Sequence, residues 1–390
     1  MQIFICCQQS LQNHPIPAYQ FWEIYFKRGI EEANHKWIEA KNVDWAEGLV
    51  SSETEKLKQW RDHTWTITIA QIKKQHQKRG IDLFLSYLYP QQILPSAIRE
   101  IQDLGIPCVN FFCDHVREFT KVPQEFHNFD LNWVPEYKAL KIYQRSKLNY
   151  IHAPMPVWVA PIHRNYQFQE QYNTTFIGSK DKQRSALLAE VINLGVDIEI
   201  RGTGWHTKLK DGNSNNWSNS KYKNIDQTII NQIRFLKNQG IYSWLRKTKS
   251  KWQKPTDDSV FKAYIRPKPN FDEYIKIIQQ SIITLGINRY PSFRHSFAQP
   301  DTYSRMRDIE APMMGACYLT EWTEGLDQMY ELGKEIETYR SSEEMKEKIN
   351  RLKAEPETRK AMRFNGQKRA LAEHSFNHSL NKITRALGIK

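Results

Sequence analysis

A chain of 390 residues with 40% hydrophobic and 12% aromatic letters is long enough for two cores and too apolar for wholesale disorder. Its net charge of +13 is concentrated, because residues 206–268 hold 11 Lys and 3 Arg against 4 Asp and no Glu, a net +10. No run of roughly 18 apolar residues occurs, which excludes an integral membrane helix, and no collagenous, coiled-coil or low-complexity patterning is present.

In chain order, MQIFICC lacks a basic leader and runs into polar QQSLQN, so it reads as a first strand and not as a targeting segment. A long amphipathic stretch from about Ala18 to Ala40 follows, and TWTITIAQIKKQHQKRG leads into the apolar run IDLFLSYLY. SAIREIQDLG predicts a helix capped by Ser96 and closed by Gly105; IPCVNFFCD and DLNWVPE predict buried strands. Short apolar runs separated by helices are the pattern of a parallel sheet covered on both faces, so the first domain is expected to be doubly wound.

Around IHAPMPVWVAPIH, Pro154, Pro156 and Pro161 predict an extended linker, since proline fixes φ and restricts its predecessor. The βαβ pattern then restarts with the strand YNTTFIGS, the helix KDKQRSALLAEVINLG and the strand VDIEIRG. After the basic segment come a helix at NFDEYIKIIQQ, a strand at SIITLGIN, and helices at SSEEMKEKINRLKA and PETRKAMRFNGQKRALAEH. The expected boundaries are 1–155 for one Rossmann-like domain, 156–370 for a second with a basic insertion at 206–268, and 371–390 for a terminal helix packing back on the first.

Between those last elements lies RDIEAPMMGACYLTEW, residues 307–322. A helix turn and a strand explain its apolar letters by burial; they leave Glu310 unexplained, because a buried acid is costly without a partner. The turn GSKDKQR, Gly178 to Arg184, follows a strand, opens a helix and carries Lys180, Lys182 and Arg184, the equipment for an anion, or simply a solvated charged turn. CDH at Cys113–His115 closes an apolar strand, and ligands of such sheets bind beyond the carboxyl ends. Asp114 and His115 are therefore candidate general bases, or else a loop-capping acid and an exposed imidazole. Five cysteines (Cys6, Cys7, Cys108, Cys113, Cys317) without CxxC spacing predict reduced thiols in the cytoplasm and no zinc site. Neither a GxGxxG nor a Walker lysine motif occurs, which argues against a dinucleotide dehydrogenase or a P-loop enzyme.

The stretch Arg305–Tyr339, RMRDIEAPMMGACYLTEWTEGLDQMYELGKEIETY, resembles the C-terminal domain of the group 1 glycosyltransferases, most closely the CgeB-type, spore-maturation-like branch. The resemblance lies in the order of parts: an Arg-x-x-E-A segment, a small-residue turn with Gly, a strand ending in Thr, and an acidic Gly-Leu. SSEEMKEKINRLKAEPETRKAMRFNGQKRALAEHSF looks like that family's terminal helices, and DLFLSYLYPQQILPSAIREIQDLGIPCVNFFCDH is similar to its acceptor domain. The resemblance implies the α/β GT-B fold, two doubly wound Rossmann-like domains facing a cleft, with the acceptor side first and the nucleotide-sugar side second.

It further implies that Glu310 accepts hydrogen bonds from the donor ribose, against the alternative of a helix N-terminal acid satisfied by backbone amides. It makes Lys182 and Arg184 contacts for the diphosphate beyond the turn at Gly178, with Arg305 and Arg307 as alternative cations. The small letters Ala311, Gly315 and Ala316 would let the backbone pass close to the nucleotide. A second carboxylate, expected eight residues before Glu310, is replaced by Thr302 beside Asp301, which weakens any direct transfer of the family's retaining mechanism and leaves a non-catalytic binding relative as an alternative. No cofactor or metal is expected beyond the nucleotide-sugar donor; the acceptor is a glycan, lipid-linked or protein substrate, in glycan or cell-surface polysaccharide synthesis.

Within the basic segment, TIINQIRFLKNQGIYSWLRKTKSKW sets Ile229, Ile233, Leu236 and Trp244 near one helical face, with Arg234, Lys237, Arg246 and Lys247 around it. That composition suits either an interfacial helix on an anionic membrane surface or a core-facing helix with a solvated basic side. No nucleic-acid module accompanies it, so no nucleic acid is expected as partner.

Overall fold

The computed structural model describes residues 1–14, 19–50, 54–164, 169–205, 256–290 and 300–389. The chain divides into two compact units, Met1–Trp158 with Ala372–Lys390, and Val159–Leu371. Each is built on one parallel sheet sandwiched by helices.

In the first unit the strands are β1 (Gln2–Cys6), β2 (Lys36–Glu39), β3 (Leu83–Ser86), β4 (Cys108–Phe111), β5 (Leu131–Val134) and β6 (Tyr150–His152), in the spatial order β2-β1-β3-β4-β5-β6. β3, β4 and β5 are buried along their whole length, which is why they read as continuous apolar runs and not as alternating ones. The amphipathic stretch 18–40 is not one element: a helix at Tyr19–Glu32 stops, and Lys36–Glu39 pairs with β1. Asn34 explains the break. It adopts φ 60 just beyond the helix, and the Ala33 and His35 amides fold back on the Gly29 and Ile30 carbonyls. Ser96 is not the N-cap of the next helix either; the helix spans Pro95–Asp103 with Leu94 before it, because a proline without an N–H fits the first helical position. The head of the proline-rich stretch pairs as β6, with Asn132 opposite Tyr150.

The terminal helix Phe376–Ala386 belongs to this unit. Phe376 packs its ring 5.7 Å from Phe26 and 6.1 Å from Trp133, over the position where any side chain on Gly29 would overlap it. All five cysteines are buried free thiols. Among the described residues, no helix is long and apolar enough to cross a membrane, and no three His, Cys, Asp or Glu side chains converge as metal ligands.

The second unit carries β7 (Tyr172–Ile177), β8 (Glu199–Arg201), β9 (Ser281–Gly286), β10 (Tyr318–Glu321) and β11 (Glu337–Tyr339), in the order β11-β10-β9-β7-β8. The helices Lys182–Asn193 and Ser342–Ala354 pack on each other, while Phe271–Gln280 and Arg307–Met313 lie against β7, β9 and β10. Several helix starts carry an oxygen-bearing cap: Asp181, Asn270 with Glu273 in a capping box, and Ser341.

One acid ties this unit together. Asp308, with no exposed surface, accepts hydrogen bonds at Oδ1 from Tyr318 Oη (2.7 Å) and Thr320 Oγ1 (3.0 Å). Its Oδ2 accepts from Asn288 Nδ2 (3.0 Å), Ser304 Oγ (2.9 Å) and the Arg305 amide (3.1 Å). Tyr318 and Thr320 are two apart on β10 and so share a face, and Gly286 on β9 supplies their room, because a Cβ there would overlap both hydroxyls. Burial pushes the Asp308 carboxyl up, opposed by the bonds from Tyr318, Arg305, Ser304 and Thr320. Replacing it by alanine would remove the acceptor of five donors, of which Tyr318, Thr320 and Asn288 are buried. Asp308→Ala is expected to lose about 3 kcal/mol or more of folding free energy in urea unfolding, and a loss below about 1 kcal/mol would contradict its central place.

Candidate functional site

In a parallel sheet the carboxyl ends of the strands and the first turns of the following helices face the same side, and there this unit collects its charge. Arg184, one turn into the helix after β7, donates to the Ser179 carbonyl (2.9 Å) and hydroxyl (3.1 Å) and lies 3.4 Å from Asp181. Arg307, at the start of its helix, donates to the Ile177 carbonyl at the end of β7 (2.6 Å) and packs over the Tyr274 ring. Arg305 donates to the Arg289 carbonyl (3.1 Å) beyond β9 and stacks 4.8 Å over Tyr303. The three form one electrostatic group. Burial first, then Arg305, with Arg307 adding to it against the pull of Asp181, brings the Arg184 guanidinium down to about 10, still charged at neutral pH.

Glu310, 2% exposed, lies one turn beyond Arg307 and accepts a hydrogen bond from Tyr274 Oη, in the first turn of the helix Phe271–Gln280. Burial holds the Tyr274 phenol well above its usual range, so it stays protonated and donates. Glu310 is thus neither a lone acid nor one satisfied only by the amides of its own helix. Tyr274 had no marker in the sequence beyond its place in an amphipathic helix.

The structure gathers some of the expected contacts and separates others. Lys182 is exposed at the first position of its helix. Gly178 has its amide donated to the Arg201 carbonyl (2.9 Å) and its carbonyl taken by Trp205 Nε1 (2.7 Å), so it extends the sheet and offers no amide to a phosphate. Gly315, φ 78, ends the helix Arg307–Met313 at the amino end of β10, the far end of the sheet from the arginines, and its carbonyl is held by Arg363 Nη1 (3.0 Å). That position corrects the expectation that it lines the nucleotide. Asp301 accepts from Tyr290 Oη (2.6 Å), and its neighbour Thr302 bridges to Arg289.

In the first unit, Asp114 follows β4 half-buried, with Tyr89 Oη 3.4 Å from its Oδ2. His115 next to it is enclosed, 2% exposed, with Nε2 bonded to Tyr143 Oη (2.7 Å), Nδ1 3.8 Å from Glu136 and Phe112 packed edge-on. This overturns the exposed imidazole: the side chain turns inward among aromatics, and burial drops it to about 3, so it is neutral and shut off from an incoming hydroxyl. The amphipathic stretch in the basic segment, with its membrane reading, lies in 206–255, outside the described residues.

A family described as glycosyl transferase-like matches residues 183–385, just over half of the chain, which therefore belongs to that family. No curated protein matches. Among solved structures, a glycosyltransferase from Rickettsia africae is similar over 100% of this chain and 99% of its own, with TM-score 0.55 at 10% identity. Sucrose-phosphate synthase from Thermosynechococcus elongatus is similar over 99% and 98%, with TM-score 0.54 at 11% identity. HepE from Anabaena, solved in complex with UDP, is similar over 99% of each chain, with TM-score 0.51 at 9% identity. At such identities the likeness establishes the fold, two Rossmann-like parallel-sheet units of the GT-B type.

The enclosed imidazole gives the folded chain an acid limit. His115 titrates at about 3 in the fold and near 6.5 once unfolded, so its stability contribution is complete above about 6.5 and is lost as pH falls towards 3. At pH 5 this single group should cost about 2 kcal/mol relative to pH 7. His115→Gln, which can still meet Tyr143, should remove that increment when urea unfolding is compared at the two pH values; an unchanged pH difference would show that His115 is not held neutral.

Proposed function

We propose that the protein is a glycosyltransferase that moves a sugar from a uridine-nucleotide donor to a glycan, lipid-linked or protein acceptor. The observation that carries this is the convergence of Arg184, Arg305 and Arg307 beside the buried Glu310–Tyr274 pair, at the carboxyl ends of β7 and β9. Three guanidiniums held together repel one another unless an anion joins them, and a diphosphate supplies that charge. One turn away, a carboxylate oriented by a phenol suits the ribose diol. Uridine is favoured because structures similar in fold are described with it: HepE with UDP-glucose, and a DNA-modifying β-glucosyltransferase with uridine diphosphoglucose. The order of parts after Arg305 supports the spore-maturation-like branch, and with it a place in glycan or cell-surface polysaccharide synthesis. The basic insertion supports a cytoplasmic protein peripheral to the membrane.

With His115 enclosed, Asp114 remains the candidate to take the acceptor's proton, and the Tyr89 hydroxyl 3.4 Å from its Oδ2 supports that reading. A non-catalytic binding role is the second reading, favoured by the absence of a carboxylate at Thr302. Two variants separate them. Glu310→Gln, which can still accept from Tyr274, should raise the donor KM about tenfold with little change in Tm; equal donor affinity in the folded variant would remove Glu310 from the ribose. Asp114→Asn should lower kcat about 100-fold at unchanged donor KM, while full turnover would exclude it as the base. Binding of UDP with neither transfer nor hydrolysis across a panel of UDP-sugars would leave the non-catalytic reading standing.

A further inference from the structure

We propose that Tyr274 is a positioning residue that couples the two ends of the nucleotide site. Its hydroxyl sets the Glu310 carboxylate for the ribose and its ring supports Arg307 for the diphosphate, so that one side chain decides the preference for ribonucleotides over 2′-deoxyribonucleotides. This rests on the donor reading above.

Tyr274 comes from a different helix than the groups it serves. Its own helix, Phe271–Gln280, starts from a capping box in which Asn270 Oδ1 accepts from the Glu273 amide (2.9 Å) and Glu273 Oε2 from the Asn270 amide (3.0 Å). The Tyr274 amide closes the first turn on the Asn270 carbonyl (2.9 Å), and Ile275, Ile277 and Ile278 bury the inner face of the helix. From that fixed backbone the half-buried side chain reaches two groups on the helix Arg307–Met313. Its Oη donates to Glu310 Oε2, and the Arg307 guanidinium lies 5.2 Å from its ring centre. Arg307 and Glu310 are three residues apart, neighbours on one helical face, which is the spacing that lets a single aromatic side chain serve both.

The two contacts have different chemical consequences. A glutamate side chain that each incoming ligand must orient loses affinity to that ordering, and a donor already seated on one oxygen removes part of the loss. The bond from the phenol to the carboxylate is charge-assisted and directional, so it can do this. The ring contact is different, because a cation over an aromatic face spends none of its N–H donors. Arg307 Nη1 already donates to the Ile177 carbonyl (2.6 Å), so support that costs no further donor matters at an anion site. Packing and the ring contact need only a phenylalanine. What the hydroxyl adds is the bond to Glu310, and that bond is what assigns Tyr274 to the ribose.

Titration calorimetry on the full chain with UDP, 2′-deoxy-UDP and inorganic pyrophosphate separates the two contacts. The wild type should bind UDP about tenfold more tightly than 2′-deoxy-UDP. Tyr274→Phe should bring that ratio to about two or below with pyrophosphate affinity unchanged. Tyr274→Leu should in addition weaken pyrophosphate about threefold. In the Glu310→Gln background the ratio should already be lost and Tyr274→Phe should change it no further, a non-additivity that mere loss of packing would not produce. A single 3-fluorotyrosine at position 274 keeps the test valid if Tyr274→Phe does not fold, since its fluorine resonance should move further with UDP than with 2′-deoxy-UDP. A wild-type ratio near one, a ratio untouched by Tyr274→Phe, or equal fluorine shifts would overturn the role of Tyr274 and leave the donor reading standing. A wild type that does not bind UDP would overturn the donor reading, and this inference with it.

Discussion

The second unit depends on one buried carboxylate. Asp308 gathers a strand, a loop and a helix by accepting from Tyr318 and Thr320 on β10, Asn288 beyond β9, and Ser304 and the Arg305 amide ahead of the helix Arg307–Met313. Burying a charge is expensive, and five donors are what make it tolerable. Those donors also fix the start of the helix Arg307–Met313. Arg305 and Arg307 closely precede Asp308, so the network that holds the helix start also sets the Arg307 guanidinium against the end of β7 and that of Arg305 against the Arg289 carbonyl beyond β9. Asn288 carries the same order to β10 through the Glu321 carbonyl (2.8 Å), and Arg289 beside it grips the Glu321 side chain.

A division of labour by charge follows. Arg184, Arg305 and Arg307 concentrate positive potential at the ends of β7 and β9, whereas a cavity beyond β9, β10 and β11 has the half-buried Arg289 paired with Glu321 and carboxylates along its wall. A nucleotide sugar presents both chemistries, an anionic diphosphate and a neutral polyol.

Much of the fold was legible because parallel strands buried on both faces leave unbroken apolar runs, as in IDLFLSYLY and SIITLGIN, each ended by a turn. β11 escaped because ETY pairs through its backbone and carries no apolar run, and β2 because it hides behind a helix that Asn34 ends without a glycine. The site was half legible. Glu310 stood out as an acid among small letters, but Asp308 two residues earlier was passed over. Its signal was present in the polar Tyr318 and Thr320, spaced to share one face of an otherwise apolar strand. His115 misled because a residue at the end of a strand can turn inward as easily as outward, and period alone does not decide which.

Glu310 and Asp308 show why two acids in one helical turn need not do the same work. Asp308 has donors on both oxygens from the surrounding core, the signature of a group whose task is internal. Glu310 accepts instead from a phenol of a neighbouring helix, one turn after Arg307, which with Arg305 repels the Arg184 guanidinium. Mutual repulsion at that helix start opposes folding, so its first turn depends on the Asp308 network to stay in place. The segment gives one acid to the network of β10 and the loop before its helix, and the other, two residues on, to the Tyr274 phenol.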